Sequence, residues 1–283
     1  MISREFLKYL ETIINTSISS YEPLRGGDIS EVFLLKTSSH NLVIKINDVK
    51  AFPSLFDKEK EGLEAIKASN TIRVPEVIKT GAFNNYAFII LEYLEQKKSQ
   101  LSFWEAFGEQ LARMHRTTHS RFGFKSSNYI GSLFQQNNYC DTAISFYLSQ
   151  RLIPQFELAV TKGFQFKNKE VFFKELEHLI PLESPSLIHG DLWSGNYLIT
   201  TNSTPCLIDP SVSFFHREMD IAMMHLFGGF SPMLFESYNH YFPLQDDWQK
   251  RLDIWQIYYL LVHLNIFGSS YYRSVDVIIK KYT

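Results

Sequence analysis

At 283 residues, 45% hydrophobic and 15% aromatic, the chain can bury roughly three quarters of its unfolded surface in one large or two closely packed domains. Its 28 Lys+Arg against 30 Asp+Glu leave a formal charge of −2 with no long block of either sign, which excludes the electrostatic footprint of a nucleic-acid binder. The two cysteines, Cys140 and Cys206, form no C-x-x-C pair and have no His at zinc spacing, so no disulfide or zinc framework is implied and a reducing compartment suits them.

In chain order, MISREFLKYLETII sets Glu5 and Glu11 among an apolar stripe of Ile2, Phe6, Tyr9, Leu10 and Ile13. It predicts an amphipathic helix, lacks the uninterrupted apolar core of a signal peptide, and points to a cytoplasmic protein. Gly26-Gly27-Asp28-Ile29-Ser30 follows; such glycines let backbone amides approach phosphates and serve equally well in a plain turn. Glu31–Thr37 and Leu42–Asn47, separated by Ser38, Ser39, His40 and Asn41, read as a hairpin of two antiparallel strands opening the fold.

Lys45 falls inside the second of these strands, where an unpaired ammonium is costly to bury and calls for a partner. Residues 54–68 read as a helix capped by Ser54, with Asp57 three positions on. Its face of Phe56, Leu63 and Ile66 also carries Glu59, the natural partner of Lys45, whereas Glu61 and Glu64 point away as solvated charges. Tyr86–Leu94 returns to strand character and ends in Glu92-Tyr93-Leu94 before the polar run Glu95–Gln100. That run predicts a boundary between a β-rich lobe, 1–94, and a larger helical lobe, 95–283, in an α+β arrangement.

The second lobe begins with Ser102-x-x-Glu105, a capping box ahead of Phe103, Phe107, Leu111 and Met114. His115 and His119, four apart on the predicted helix, have no third ligand nearby, and zinc is not expected there. Two short β-like segments, Leu187–Ile188 and Cys206–Ile208, flank His189–Asn196 and lead into Asp209-Pro210. The longest apolar stretches fall far short of the ~20 residues needed to span a bilayer, so no membrane partner is expected.

Phosphoryl transfer requires a cationic clamp on the phosphates, ligands for a divalent metal and an acceptor for the hydroxyl proton. In HGDLWSGN, Asp191 and Asn196 are five residues apart on one loop, a spacing that holds a substrate hydroxyl and a metal ion side by side and that protein kinases also use. Asp209, thirteen residues after Asn196, supplies a hard carboxylate oxygen suited to Mg²⁺ or Mn²⁺. A Lys45–Glu59 pair would aim the lysine at nucleotide phosphates. Each residue alone is an ordinary turn or surface residue; the ordered set is what points to chemistry.

LIHGDLWSGNYLI, LIDPSVSFFHREMDIAMMHLFGGF and GGDISEVFLLK together resemble the fructosamine or ketosamine kinases, relatives of the aminoglycoside and choline kinases, nearly end to end. The resemblance implies a bilobal protein-kinase-like fold and an ATP-dependent, Mg²⁺-assisted transfer to the 3-hydroxyl of a ketosamine. The adduct would sit on a free amine or a protein lysine, in deglycation repair. It makes Asp191 the proton acceptor, Asn196 and Asp209 metal ligands, and Lys45 and Glu59 the phosphate-orienting pair. It makes Glu92, Tyr93 and Leu94 the adenine hinge and Asp220 a support for the catalytic loop, while Gly26, Gly27 and Ser30 are read as the phosphate-approaching segment from their place upstream of Lys45. Trp193 packs against substrate or core on this reading, and His263 lines the pocket or satisfies the core. Val262 replaces the family's usual Asn, and Asp28 stands where some members carry a cysteine.

The rival expectations are a kinase of the same fold acting on an aminoglycoside, choline or a sugar, and a nucleotide-binding pseudokinase scaffold. Only ten residues separate Asp209 from Asp220 and no A-P-E segment follows, which leaves little room for a protein kinase's activation loop.

Overall fold

The computed structural model describes residues 2–24, 29–98, 101–201 and 203–283; Gly26 and Gly27, expected near phosphates, and Asp28 lie outside the described residues. The elements in chain order are α1 (Arg4–Ile14), β1 (Ile18–Pro23), β2 (Glu31–Thr37), β3 (Asn41–Asp48), α2 (Leu55–Ala68), β4 (Val77–Phe83) and β5 (Tyr86–Glu92). There follow α3 (Leu101–His115), β6 (Asn128–Ile130), β7 (Leu133–Gln135), α4 (Ala143–Phe146), a π-helical stretch over Tyr147–Leu152, α5 (Ile153–Thr161) and α6 (Lys169–Leu179). The chain then forms β8 (Ser186–Ile188), β9 (Tyr197–Ile199), β10 (Pro205–Leu207), β11 (Ser213–Phe215), α7 (Glu218–Phe227), α8 (Pro232–Tyr241), α9 (Trp248–Phe267) and α10 (Tyr272–Lys281).

The first five strands make one antiparallel sheet in the order β1-β2-β3-β5-β4. Period-two alternation in β3 divides its side chains between two cores. Leu42, Ile44 and Ile46 join Phe33, Phe88 and Ile90 against Phe6 and Leu10 of α1, while Val43 faces the opposite core with Ile89 and Leu91 of β5. Lys45 shares the parity of Val43 and pairs in register with Ile89, so it emerges on the face covered by α2. Helix α2 sets Phe56, Leu63 and Ile66 on that face, together with Phe103, Phe107 and Leu111 of α3. A third cluster, centred on α9 with Trp255, Tyr258 and Leu261, fills the helical half against α5, α6, α7 and α10.

Several expectations need correction. The sheet does not begin at the predicted hairpin: β1 precedes it as an edge strand, exposed at most positions and ending in Pro23, which suits an edge because it donates no ladder bond. Ser54 does not cap α2; it lies in the left-handed region at φ 58 with no side-chain cap bond. Asp48 instead organises the preceding turn, its Oδ1 accepting the amides of Lys50 and Ala51, both at 2.8 Å. Ser102 lies inside α3, which already runs at Leu101, and β5 stops at Glu92 rather than Leu94. Helix α3 ends at His115, so His119 is not on it and the two histidines share no face. Glu61 is partly buried and accepts a hydrogen bond from the Ser126 hydroxyl, because α2 packs against the segment before β6.

Candidate active site

The segment His189–Asn196 leaves β8 and enters β9, and each strand is paired, β8 with β11 and β9 with β10. Both ends of the loop are therefore fixed by ladders. Its turn is fixed by Asp220, fully buried in the first turn of α7, which accepts the amides of His189 at 2.7 Å and Gly190 at 2.8 Å. His115 meets the same carboxylate at 3.1 Å through Nε2 and Tyr238 Oη at 2.8 Å through Nδ1. Burial alone would push the Asp220 carboxyl up, but His115, His189 and the Gly190 amide outweigh it and hold it below the usual carboxylate range.

Gly190 has φ +83, and an added Cβ would run into the Ser211 carbonyl, so only glycine lets the loop approach the strand after Asp209 this closely. The Ser211 amide donates to His189 O at 2.9 Å and the Tyr259 hydroxyl donates to Gly190 O at 3.1 Å. His189 Nε2 lies 2.9 Å from Ile208 O, and its Nδ1 accepts the Asp191 amide at 3.3 Å, which puts the proton on Nε2. Burial lowers the pKa of this imidazole, so it bridges the two loops as a neutral ring.

Asn196 Nδ2 donates to the Asp191 carbonyl at 2.8 Å and to its carboxylate Oδ2 at 3.2 Å. The amide nitrogen is thereby committed, and the carboxamide oxygen is the atom left to act as a metal ligand. The Asn196 carbonyl accepts the Ile208 amide at 3.1 Å, which brings this loop alongside the residue before Asp209.

Asp209 lies in the left-handed region at φ 55, and its carboxylate forms an ion pair with Lys45. The same ammonium meets Glu59 Oε1 at 2.7 Å, the partner expected from the helix face. Burial alone would lower the Lys45 pKa, yet the two carboxylates outweigh it and keep the group charged well above the ordinary lysine range. Burial lifts the Glu59 carboxyl, assisted by Asp209 and opposed by Lys45. Two carboxylates on one ammonium leave an excess negative charge. With the hard oxygens of Asn196 and Asp209, that donor set fits an oxygen-seeking divalent cation.

Ser30 Oγ lies 3.1 Å from Asn47 Nδ2, which also donates to Ile29 O at 3.0 Å, so the described end of the glycine segment is tied to β3 two residues beyond Lys45. Glu92 turns its side chain toward the β4 side, pairing with Arg73 at 2.5 Å and accepting the Glu76 amide at 3.2 Å. Arg73 O in turn accepts the Leu207 amide at 2.9 Å, so the end of β5 is coupled to the strand that leads into Asp209. Tyr93 and Leu94 follow β5 without regular structure.

A cavity of about 610 Å³ opens beside the loop, lined by Asp191, Trp193, Phe227, His263, Phe267 and Tyr271, with Ile29 and Phe52 among the others. Trp193 and His263 thus share one cavity with Asp191, whereas Lys45, Glu59 and Glu92–Leu94 do not line it. Trp193 is 39% exposed, and its ring covers Gly195, where any side chain would collide with it. His263 Nδ1 lies 2.8 Å from Tyr259 O, and its ring packs on Phe227 at 4.7 Å. Residues missed by sequence reasoning are His189, Ser211 and Tyr259, which fix the loop, and Phe227, Phe267 and Tyr271 of the cavity wall. The LFGGF run held a signal for Phe227: Gly229 packs so closely on Ser194 that an added Cβ would lie 2.5 Å from the serine Cβ.

The family described as fructosamine kinase matches residues 4–283. An Enterococcus faecium protein named probable ketoamine kinase is 37% identical, over 92% of this chain and 94% of its own length. The chloroplastic protein-ribulosamine 3-kinase of Oryza sativa subsp. japonica is 34% identical, over 94% of this chain and 80% of its own. Among solved structures, a Haemophilus somnus protein described as a fructosamine-3-kinase superposes with a TM-score of 0.89 at 24% identity, covering 96% of each chain. Aminoglycoside phosphotransferase APH(4)-Ia, in a ternary complex with ADP and hygromycin B, gives 0.66 at 17% identity, covering 97% of each. The fold is the bilobal protein-kinase-like α+β fold shared with these phosphotransferases.

Proposed function

The chain belongs to the fructosamine kinase family of ATP-dependent phosphotransferases, and we propose that it transfers the γ-phosphoryl of ATP to the 3-hydroxyl of ketosamines. The acceptors on this reading are fructosamine or ribulosamine adducts of free amines or protein lysines, and the product, prone to elimination, serves deglycation. The observation that carries the reading is Asp191, bonded to Asn196 at 3.2 Å and lining a 610 Å³ cavity beside Trp193.

In this reading residues 1–94 are the nucleotide lobe and 95–283 the catalytic lobe. Asp191 orients the substrate hydroxyl and accepts its proton as the bond to phosphorus forms. Lys45, held charged by Glu59, neutralises phosphate oxygens, and Ser30 and the end of β5 contribute to nucleotide binding. Asn196 and Asp209 would hold Mg²⁺ or Mn²⁺, which would supply positive charge to offset that of the phosphates. Trp193 and His263 shape the acceptor side of the cavity. The cytoplasm suits such an activity: both cysteines are free thiols, and no helix among the described residues is long and apolar enough to cross a membrane.

ADP release by purified protein, with Mg-ATP and a panel of ribulose-, erythrulose- and fructose-derived amines, tests the reading, with phosphorus NMR on the product. Choline and an aminoglycoside are the controls. Phosphate on the 3-oxygen of ketosamines is expected; turnover of a control alone would move the acceptor to another small hydroxyl compound.

A further inference from the structure

Two helices end at the cavity that Asp191 lines. Helix α7 finishes at Phe227 and α9 at Phe267, each followed by a left-handed glycine whose amide caps the last turn: Gly228 N to Met224 O at 3.1 Å and Gly268 N to Leu264 O at 3.0 Å. The carboxyl ends of both helices therefore lie at the cavity wall, each carrying roughly half a negative charge, and the amino end of α10, which starts at Tyr272 just after α9, offsets part of that at the α9 end. Lys162 binds the Asn265 carbonyl and offsets part of the charge at the end of α9.

The side chains at these ends are aromatic and incompletely covered. Phe227 is 39% and Phe267 53% exposed, although each is large and apolar. Together with Tyr271 they surround His263, with ring centroids 4.7, 5.4 and 5.1 Å from the imidazole, and all four rings line the cavity. Ring faces attract cations, and so do helix carboxyl ends and the Asp191 carboxylate. The rings and helix ends of this wall, with Asp191 elsewhere on the same cavity, favour positive charge.

We propose that this wall of Phe227, Phe267 and Tyr271 is the subsite for the amine of the acceptor, bound as its protonated secondary ammonium, while the sugar chain lies toward Asp191 and Trp193. The inference rests on the ketosamine reading and deepens it: the enzyme recognises the cation that joins sugar to aglycone and tolerates varied aglycones beyond it. Adducts of alkylamines, including lysine side chains, carry that charge at neutral pH, whereas adducts of arylamines and 1-O-alkyl ketoses do not.

The test compares kcat/KM for three acceptors sharing one ketose: a hexylamine adduct, an aniline adduct and a 1-O-hexyl ether. Wild-type enzyme is expected to favour the hexylamine adduct over both neutral analogues by at least about fivefold, the scale of a partly desolvated cation–π contact. Phe267→Leu keeps an apolar side chain but removes the ring, and should narrow that ratio toward one; Tyr271→Leu is the second variant. Equal use of charged and neutral acceptors by the wild-type enzyme would overturn the subsite and leave the kinase reading standing. Failure to phosphorylate any of the three, with a control compound turned over, would remove the ketosamine reading and the subsite with it.

Discussion

Lys45 of β3 and Asp209, 164 residues apart in the chain, form a direct ion pair across the cleft, with Glu59 at 2.7 Å completing a two-carboxylate cradle for one ammonium. The cradle fixes the lysine where phosphates would arrive and couples the sheet to the loop that carries Asp209. Lys45→Met is expected to lower kcat/KM by at least about 10²-fold, the cost of one preorganised electrostatic donor. Combined with Asp209→Asn the losses should not add, since the two residues form one ion pair and are proposed to act on the same phosphates. Steady-state kinetics of the two single variants and the double variant give the coupling, and strictly additive losses would separate their roles.

The same substitution has a pH signature. Without Lys45, burial and Asp209 both raise the Glu59 carboxyl, and the ammonium that opposed them is gone. A carboxyl whose folded pKa lies above its unfolded value contributes stability at pH below the ordinary 4.5 that is lost as pH rises through the folded pKa. The Tm deficit of Lys45→Met relative to wild type should therefore widen from pH 4.5 to pH 8. A deficit independent of pH would show Glu59 to be ionised in both proteins.

Asp191→Asn is nearly isosteric and keeps an acceptor for Asn196, yet it cannot take a proton. Expected is a fall in kcat of ~10²–10⁴-fold, the usual worth of general-base catalysis, with the KM for ATP and the Tm little changed. Full turnover by this variant would remove the base from the mechanism.

Much of this site was legible because its chemistry is local in sequence: Asp191 and Asn196 share one loop, and Lys45 and Glu59 each interrupt an apolar pattern whose period announces the anomaly. What was not legible depends on distant partners or on strands too short to show a period. β8 to β11 have three residues each, and β6 and β7 likewise, so alternation has no room to appear. β4 is half-exposed with a register shift near its start, and β1 is an exposed edge, which leaves neither a clean apolar face. His115 carried only a spacing to His119 with no third ligand, and its actual partners Asp220 and Tyr238 lie 105 and 123 residues away, beyond any local pattern. The aromatic wall escaped notice for the same reason: Phe227 reaches the His263 ring beside Phe267 only once α7 and α9 pack.

Asp220 is the residue through which that long-range packing acts on the loop. Asp220→Asn retains one oxygen acceptor but turns a donor toward the amides of His189 or Gly190, which now bond to the two carboxylate oxygens. One buried N–H is left without a partner, a cost of about 1–3 kcal/mol. A lower Tm is expected together with a reduced kcat at an unchanged KM for ATP, since Lys45 and Glu59, proposed to orient the nucleotide, lie on other elements. Hydrogen exchange should show faster exchange of the Gly190 amide; unchanged protection there would argue against Asp220 as the clamp.

His216 offers a stability test remote from the chemistry. It is fully buried, stacked on Trp255 at 4.7 Å, with Nδ1 accepting the Glu218 amide at 3.3 Å and Nε2 unpaired 3.8 Å from Glu183. Burial lowers its pKa despite the pull of Glu218 and Glu183, as burial does for His189. A histidine with a depressed folded pKa contributes stability that is present above its ordinary 6.5 and is lost as pH falls from there toward the folded value, because the unfolded chain takes up the proton first. Tm should therefore decline as pH drops from 7 to 5. His216→Phe, which preserves the stack on Trp255 but cannot titrate, should decline less steeply, with His189 and His225, both also lowered by burial, contributing to the remainder. Parallel Tm–pH curves for the two proteins would mean that His216 charges in place, with Glu183 as its counter-ion, and that the packing around Trp255 admits the proton without loss.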